Sequence, residues 1–145
     1  MNVILLKGGL GNQLFQICLY LNLAKKNKST YLDNKLGFLF DFKYKRKFEL
    51  VKVKNFINLL DSKSSFFILL IYLLRKLIPN MQNFLFLKII KDKDNYISKL
   101  NESSLKVNKK INFLENVLYD GYFQNFEVVN RVLPELMYIV EPYLT

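Results

Sequence analysis

Val3-Ile4-Leu5-Leu6-Lys7-Gly8-Gly9-Leu10-Gly11-Asn12-Gln13-Leu14-Phe15-Gln16 is the stretch that decides the fold. Residues 3–7 are short, apolar and ended by glycine, which predicts a buried strand. Gly8, Gly9 and Gly11 then make a turn, and Asn12 is placed to cap a following helix with its side-chain oxygen. That helix is expected over residues 13–26. Leu14, Cys18, Leu21 and Lys25 share one face, while Phe15, Ile17, Leu19 and Leu23 widen the apolar arc. A helix apolar over most of its circumference packs on more than one side. Lys25, Lys26 and Lys28 suit the negative end of its dipole. Thr30-Tyr31-Leu32-Asp33 reads as a second strand. A β-α-β unit of this kind predicts a parallel sheet and a right-handed crossover.

Downstream, residues 34–55 are basic and read as irregular. Helical periodicity runs through residues 56–90 in two or three pieces, with Pro79 as the clearest break. Its apolar run at 66–74, with Leu77 and Ile78, predicts a buried helix, the alternative being an interfacial one, and at nine residues the run falls short of the about 20 that a membrane span needs. Residues 91–112 are rich in Lys, Asn and Ser and read as an exposed connection. Val117-Leu118-Tyr119 predicts another strand, ending in Asp120-Gly121-Tyr122-Phe123-Gln124. Asn125 is expected to cap a helix over 126–133, with Pro134 opening a new helical turn. No domain boundary is visible, so residues 1–145 read as one α/β domain with helices flanking a parallel sheet.

Composition narrows the chemistry. The 145 residues include no His and one Cys. That excludes His-based triads and dyads, an internal disulfide, and Cys-cluster or His-ligated metal sites, so no metal is expected. At 51% hydrophobic and 23% charged, the chain is globular. Its net charge of +10 is uneven: residues 1–60 carry +8, residues 61–115 carry +5, and residues 116–145 carry −3. A basic front suits phosphorylated small molecules, nucleic acid or an anionic membrane surface. Lys outnumbers Arg 19 to 3 and Asn and Ile are frequent, a pattern that an AT-rich coding bias also produces. Nothing beyond charge points to nucleic acid, so no nucleic-acid partner is expected. With no export signal and a lone Cys, the expected compartment is the cytoplasm. Cys18, among apolar neighbours, reads as an inert core thiol.

Glycines between a strand and a helix permit positive φ and let a ligand approach the backbone. The helix behind them offers free N–H groups to an anion. Gly9-x-Gly11-x-x-Leu14 half-matches the dinucleotide fingerprint, with Leu where a third glycine is required. Asp33 stands 22 residues after Gly11, a distance that suits a ribose contact. A tight turn that needs glycine for packing alone remains the alternative.

GGLGNQLFQ at residues 8–16 closely resembles the opening of the α-1,2-fucosyltransferases, glycosyltransferase family 11. Two further stretches resemble that family in order: Tyr44-Lys45-Arg46-Lys47-Phe48-Glu49-Leu50, and Leu118-Tyr119-Asp120-Gly121-Tyr122-Phe123-Gln124. The resemblance implies the Rossmann-like N-terminal domain of a GT-B type enzyme. It also implies transfer of L-fucose from GDP-fucose to the 2-hydroxyl of a galactose-containing glycan, with inversion and without metal or other cofactor. Members of that family are about twice this length and hold the donor chiefly through a second domain, on His-x-Arg-Arg-x-Asp-Tyr. These 145 residues contain no His and no Arg-Arg pair, so the match is to an N-terminal half alone. Two absent Arg–phosphate contacts remove roughly 3–6 kcal/mol of donor binding. The chain alone is therefore expected to be weak or inactive, or to act as a saccharide- or partner-binding remnant.

By the same resemblance, Gly8, Gly9 and Gly11 shape the donor-facing loop, and Asn12 and Gln13 bond sugar or phosphate. Tyr122 and Gln124 are expected at the saccharide, and Asp120 is a candidate to orient or deprotonate the acceptor hydroxyl. A packing role for Tyr122 and Phe123, and a turn role for Asp120, stay open. Lys43, Lys45, Arg46 and Lys47 form the densest basic cluster. That cluster is a candidate for peripheral attachment to an anionic leaflet, the alternative being a solvated loop.

Overall fold

Four short strands build one all-parallel sheet in the computed structural model, which describes residues 1–77, 87–91 and 116–143. The elements in order are β1 (Asn2–Leu5), α1 (Leu10–Ala24), β2 (Thr30–Asp33), α2 (Leu36–Leu39), a 3-10 segment (Val51–Phe56), α3 (Ser62–Leu77), β3 (Leu87–Lys91), β4 (Asn116–Asp120), α4 (Phe126–Val140) and a closing 3-10 turn (Glu141–Tyr143). The strand order is β2-β1-β4-β3. Val3 pairs with Tyr31 on one side and Leu118 on the other, and Ile89 pairs with Leu118. The architecture is α/β with helices on both faces of the sheet, compatible with a Rossmann-like fold.

Strand periodicity of two sorts the core. Ile4, Leu32, Ile90 and Tyr119 face α1, the 3-10 segment and α4, packing with Ile17, Leu23, Val53 and Ile139. Val3, Leu5 and Leu118 face the other way, against Leu36 of α2, Leu60, and Ile68 of α3. Val3, Ile4 and Leu6 have no exposed surface, and a fully buried side chain of this kind contributes about 1.5–3 kcal/mol. A strand buried on both faces needs a continuous apolar run, which is why β1 lacks the alternation of a half-exposed strand. Helix α1 lies between the sheet and α4, where Cys18 meets Val128 and Val132. That double burial matches its wide apolar arc.

Several expectations need correction. The first strand ends at Leu5, so Lys7 lies beyond it, on the turn. Helix α1 starts at Leu10, not at residue 13, and its cap position is Gly9. Asn12 therefore sits inside the first turn and is no N-cap. Residues 34–55 hold α2 and most of the 3-10 segment, besides irregular chain. Leu87–Lys91 is a parallel strand, not helix, because Ile89 and Ile90 each fill one sheet face while Lys88 and Lys91 stay exposed.

Helix α4 continues through Pro134 to Val140 rather than restarting there. Its burial of Val128, Val132 and Ile139 outweighs one lost backbone bond at an exposed position. Asn125 does cap this helix, accepting from the Val128 amide at 3.2 Å. Helix α3 is only half buried. Ser65 and Ile68 face inward, whereas Phe66, Phe67, Leu70, Leu73 and Leu77 are exposed, Phe66 by 65%. The expected break at Pro79 lies outside the described residues, as does all of the expected 91–112 connection but Lys91. Among the described residues no helix is long and apolar enough to cross a membrane.

Candidate functional site

In an open parallel sheet, ligands sit beyond the carboxyl ends of the strands. Here β1 and β4 are the two central strands, with β2 and β3 at the edges, and their carboxyl ends border a crevice. The residues just past those two strand ends are Lys7, Gly8 and Gly9, and Gly121, Tyr122 and Phe123.

Lys7 and Asp120 close the floor of this crevice. Lys7 Nζ donates to Asp120 Oδ1 at 2.6 Å, and Tyr72 of α3 donates its hydroxyl to Oδ2 at 3.2 Å. Burial, and then the Asp120 charge and hydrogen bond, push the Tyr72 hydroxyl above its ordinary pKa, so it stays a donor at neutral pH. The Lys7 ammonium also lies 5.4 Å from the centre of the Tyr122 ring. Sequence reasoning had singled out Asp120 and Tyr122 but neither Lys7 nor Tyr72. Tyr72 belongs to a helix remote in sequence, and only the packing of α3 on the sheet brings it here.

The three glycines behave differently. Gly8 has φ +79°, and a Cβ there would stand 2.7 Å from Asn12 Nδ2 and 2.9 Å from Tyr122 Cε1. This position needs glycine for the fold itself. At Gly9 and Gly11 a Cβ would meet nothing within 4 Å. Gly11 stands in the first turn of α1, where Ala is favoured by about 1 kcal/mol. Packing therefore gives no reason for glycine there. Among the described residues no side chain caps α1, and its first turn holds no acid.

Gln13 and Gln16 work inside the fold. Gln13 has no exposed surface; its Nε2 donates to the Gly8 and Lys47 carbonyls, and its Oε1 accepts from the Glu49 amide, each at 3.0 Å. All three bonds hold backbone, so the expected sugar or phosphate contact of Gln13 is replaced by a staple between the glycine turn and residues 47–49. Gln16 accepts from the Lys7 amide at 3.0 Å and donates to the Gly121 carbonyl at 2.7 Å. Asn12 and Gln124 meet at the rim, Gln124 Nε2 donating to Asn12 Oδ1 at 2.8 Å.

Asp33 is also taken up by the fold. It accepts from the amides of Lys35 and Leu36 at 2.9 and 2.6 Å and from the Ser65 hydroxyl, and it is fully buried. Its carboxylate starts α2 and anchors α3, which corrects the ribose reading. Cys18 is buried and its thiol is pushed up to about 11, as an inert core thiol requires. Among the described residues no cluster of three or more His, Cys, Asp or Glu stands ready for a metal ion.

Two adjoining hollows open at the crevice. One, of about 270 Å³, is walled by Leu5, Leu36, Ile68 and Leu118, with Lys7, Tyr72 and Asp120 among its polar lining. The other, of about 480 Å³, lies between the Gly8 and Tyr122 turns and the 40–46 segment. Both share Lys7, Gly37 and Phe40. Gly37 earns its place by close approach: a Cβ there would lie 2.1 Å from the Leu6 carbonyl oxygen. A strand-end crevice with a carboxylate at its floor, amides at one lip and tyrosines at the other can hold a polyhydroxylated ligand. No protein-family profile, curated protein sequence or solved structure matches the chain.

Proposed function

We propose that the chain is a saccharide-handling module of fucosyltransferase type, and that the crevice between β1 and β4 is its acceptor side. The single observation that carries this reading is the pair of glycines at 9 and 11. Neither meets any atom that would forbid a side chain, and both stand at an uncapped helix start, one and three residues beyond Gly8, which lines the larger hollow. Bare backbone that the fold does not require is what close approach of a ligand requires.

In this reading the sheet is the N-terminal half of a GT-B type arrangement. The acceptor galactoside lies against Tyr122 and within reach of Asn12 and Gln124. Asp120 accepts a hydrogen bond from the reacting 2-hydroxyl and Lys7 fixes the carboxylate. GDP-fucose is the donor, no metal takes part, and the place of work is the cytoplasmic face of a membrane, reached through the basic 43–47 cluster.

One observation favours a second reading, binding without turnover. Both oxygens of Asp120 already have partners, Lys7 and Tyr72, which leaves the carboxylate a positioning group more than a proton acceptor. A GDP-release assay on the full chain with GDP-fucose and a galactoside tests both. Galactoside-dependent GDP release supports transfer. Galactoside binding without release supports the second reading, and absence of both removes the proposal.

A further inference from the structure

The larger hollow has a wall that the transferase reading does not use. Tyr44 meets two cations: Arg46 Cζ lies 4.2 Å and Lys43 Nζ 4.9 Å from its ring centre. Neither cation pairs with a carboxylate among the described residues. Asp41, the acid nearest in sequence, has its oxygens on the amides of Tyr44 and Arg46 at 3.1 and 3.3 Å. The Lys45 amide bonds the Asp41 carbonyl at 2.9 Å, and Lys45 itself takes φ +49°. The segment is thus a turn held by Asp41 that presents two like charges on one ring, and Asp41, Lys7 and Gly8 line the same hollow. Both cations lie within 5 Å of one ring centre and line one hollow, and an anion placed there is attracted by both. The aromatic surface of Tyr122 in the same hollow suits a sugar or other flat ligand face beside the anion.

We propose that this hollow binds a phosphate monoester carried by the saccharide, with Lys43 and Arg46 holding the phosphate. The sugar half rests on the transferase reading; the anion half rests on the cation pair alone. Arg46 offers a bidentate fork to phosphate oxygens and Lys43 a point charge.

Calorimetric titration of the full chain with galactose 1-phosphate, galactose and GDP tests it. Galactose 1-phosphate is expected to bind at least tenfold more tightly than galactose. Lys43→Ala/Arg46→Ala should erase that preference with the thermal midpoint unchanged, and Arg46→Lys, which keeps the charge but loses the fork, should keep only part of it. Equal affinity for the two sugars, or a preference that survives the double substitution, overturns the proposal. GDP binding tenfold more tightly than galactose 1-phosphate, and lost in the same double variant, also overturns it by assigning the hollow to nucleotide. Phosphate preference without GDP release removes the transferase and leaves the anion site. GDP release with no phosphate preference does the reverse.

Discussion

Lys7 and Asp120 lie 113 residues apart in the chain and 2.6 Å apart in space, one on the turn after β1 and the other at the end of β4. Their side chains are 27% and 13% exposed, between a surface pair and a buried one. Removing either partner alone, by Lys7→Met or Asp120→Asn, should therefore cost about 1–3 kcal/mol in urea unfolding. The double variant should cost less than the two singles together, with a coupling of about 1 kcal/mol. Strict additivity would show that the contact carries no energy.

Gly8 and Gly11 should respond oppositely to alanine. Gly8→Ala meets a left-handed backbone and two close atoms, and should lose about 1–3 kcal/mol. Gly11→Ala meets open space in a helix, and should gain up to about 1 kcal/mol. If ligand passes over residue 11, the stabilised Gly11→Ala variant must bind galactoside more weakly. Higher stability with unchanged affinity would return Gly11 to a purely local role.

Gln13→Leu keeps the bulk of the side chain and removes three hydrogen bonds to backbone. The buried Gly8 carbonyl left unpaired costs about 1–3 kcal/mol, and the part-buried Lys47 and Glu49 groups add less, so this substitution should be clearly destabilising. Hydrogen exchange should show faster exchange at the Glu49 amide. A melting temperature within a few degrees of the parent protein would refute the staple.

Cys18 should resist alkylation. With its thiol pushed up to about 11, roughly one molecule in a thousand carries the thiolate at pH 8. Native protein should react with iodoacetamide at least about 100-fold more slowly than protein in urea. Folding also keeps this proton where the unfolded chain loses it. Stability should therefore fall as pH rises from about 9 towards about 11, a loss that Cys18→Ala reduces and that Tyr72, raised in the same direction, leaves in part.

The first β-α-β unit was legible because its signals are local: an apolar run, glycine, then a helical arc. Its details were not. Gly9 and Gly11 weigh against helix by propensity, which hid that α1 begins at Leu10. Pro134 weighs against helix in the same way, yet α4 is carried through it by burial of Val128, Val132 and Ile139. Strand β3 is five residues long and owes its existence to pairing with β4, a partner that periodicity within one segment cannot reveal. At the site, Asp120 and Tyr122 stood out because they follow a strand. Gln13 and Asp33 looked like ligand contacts by position and proved to be internal, because a polar side chain's role depends on which backbone groups surround it. Tyr72 and the Lys43–Tyr44–Arg46 cluster required tertiary structure to be seen.

Gln16 spans from the Lys7 amide to the Gly121 carbonyl, so one buried side chain joins both lips of the crevice. For any guest that docks there, the ordering of that mouth was completed during folding, so no loop entropy remains to be lost at it. Spreading the gap would break this interior amide bridge.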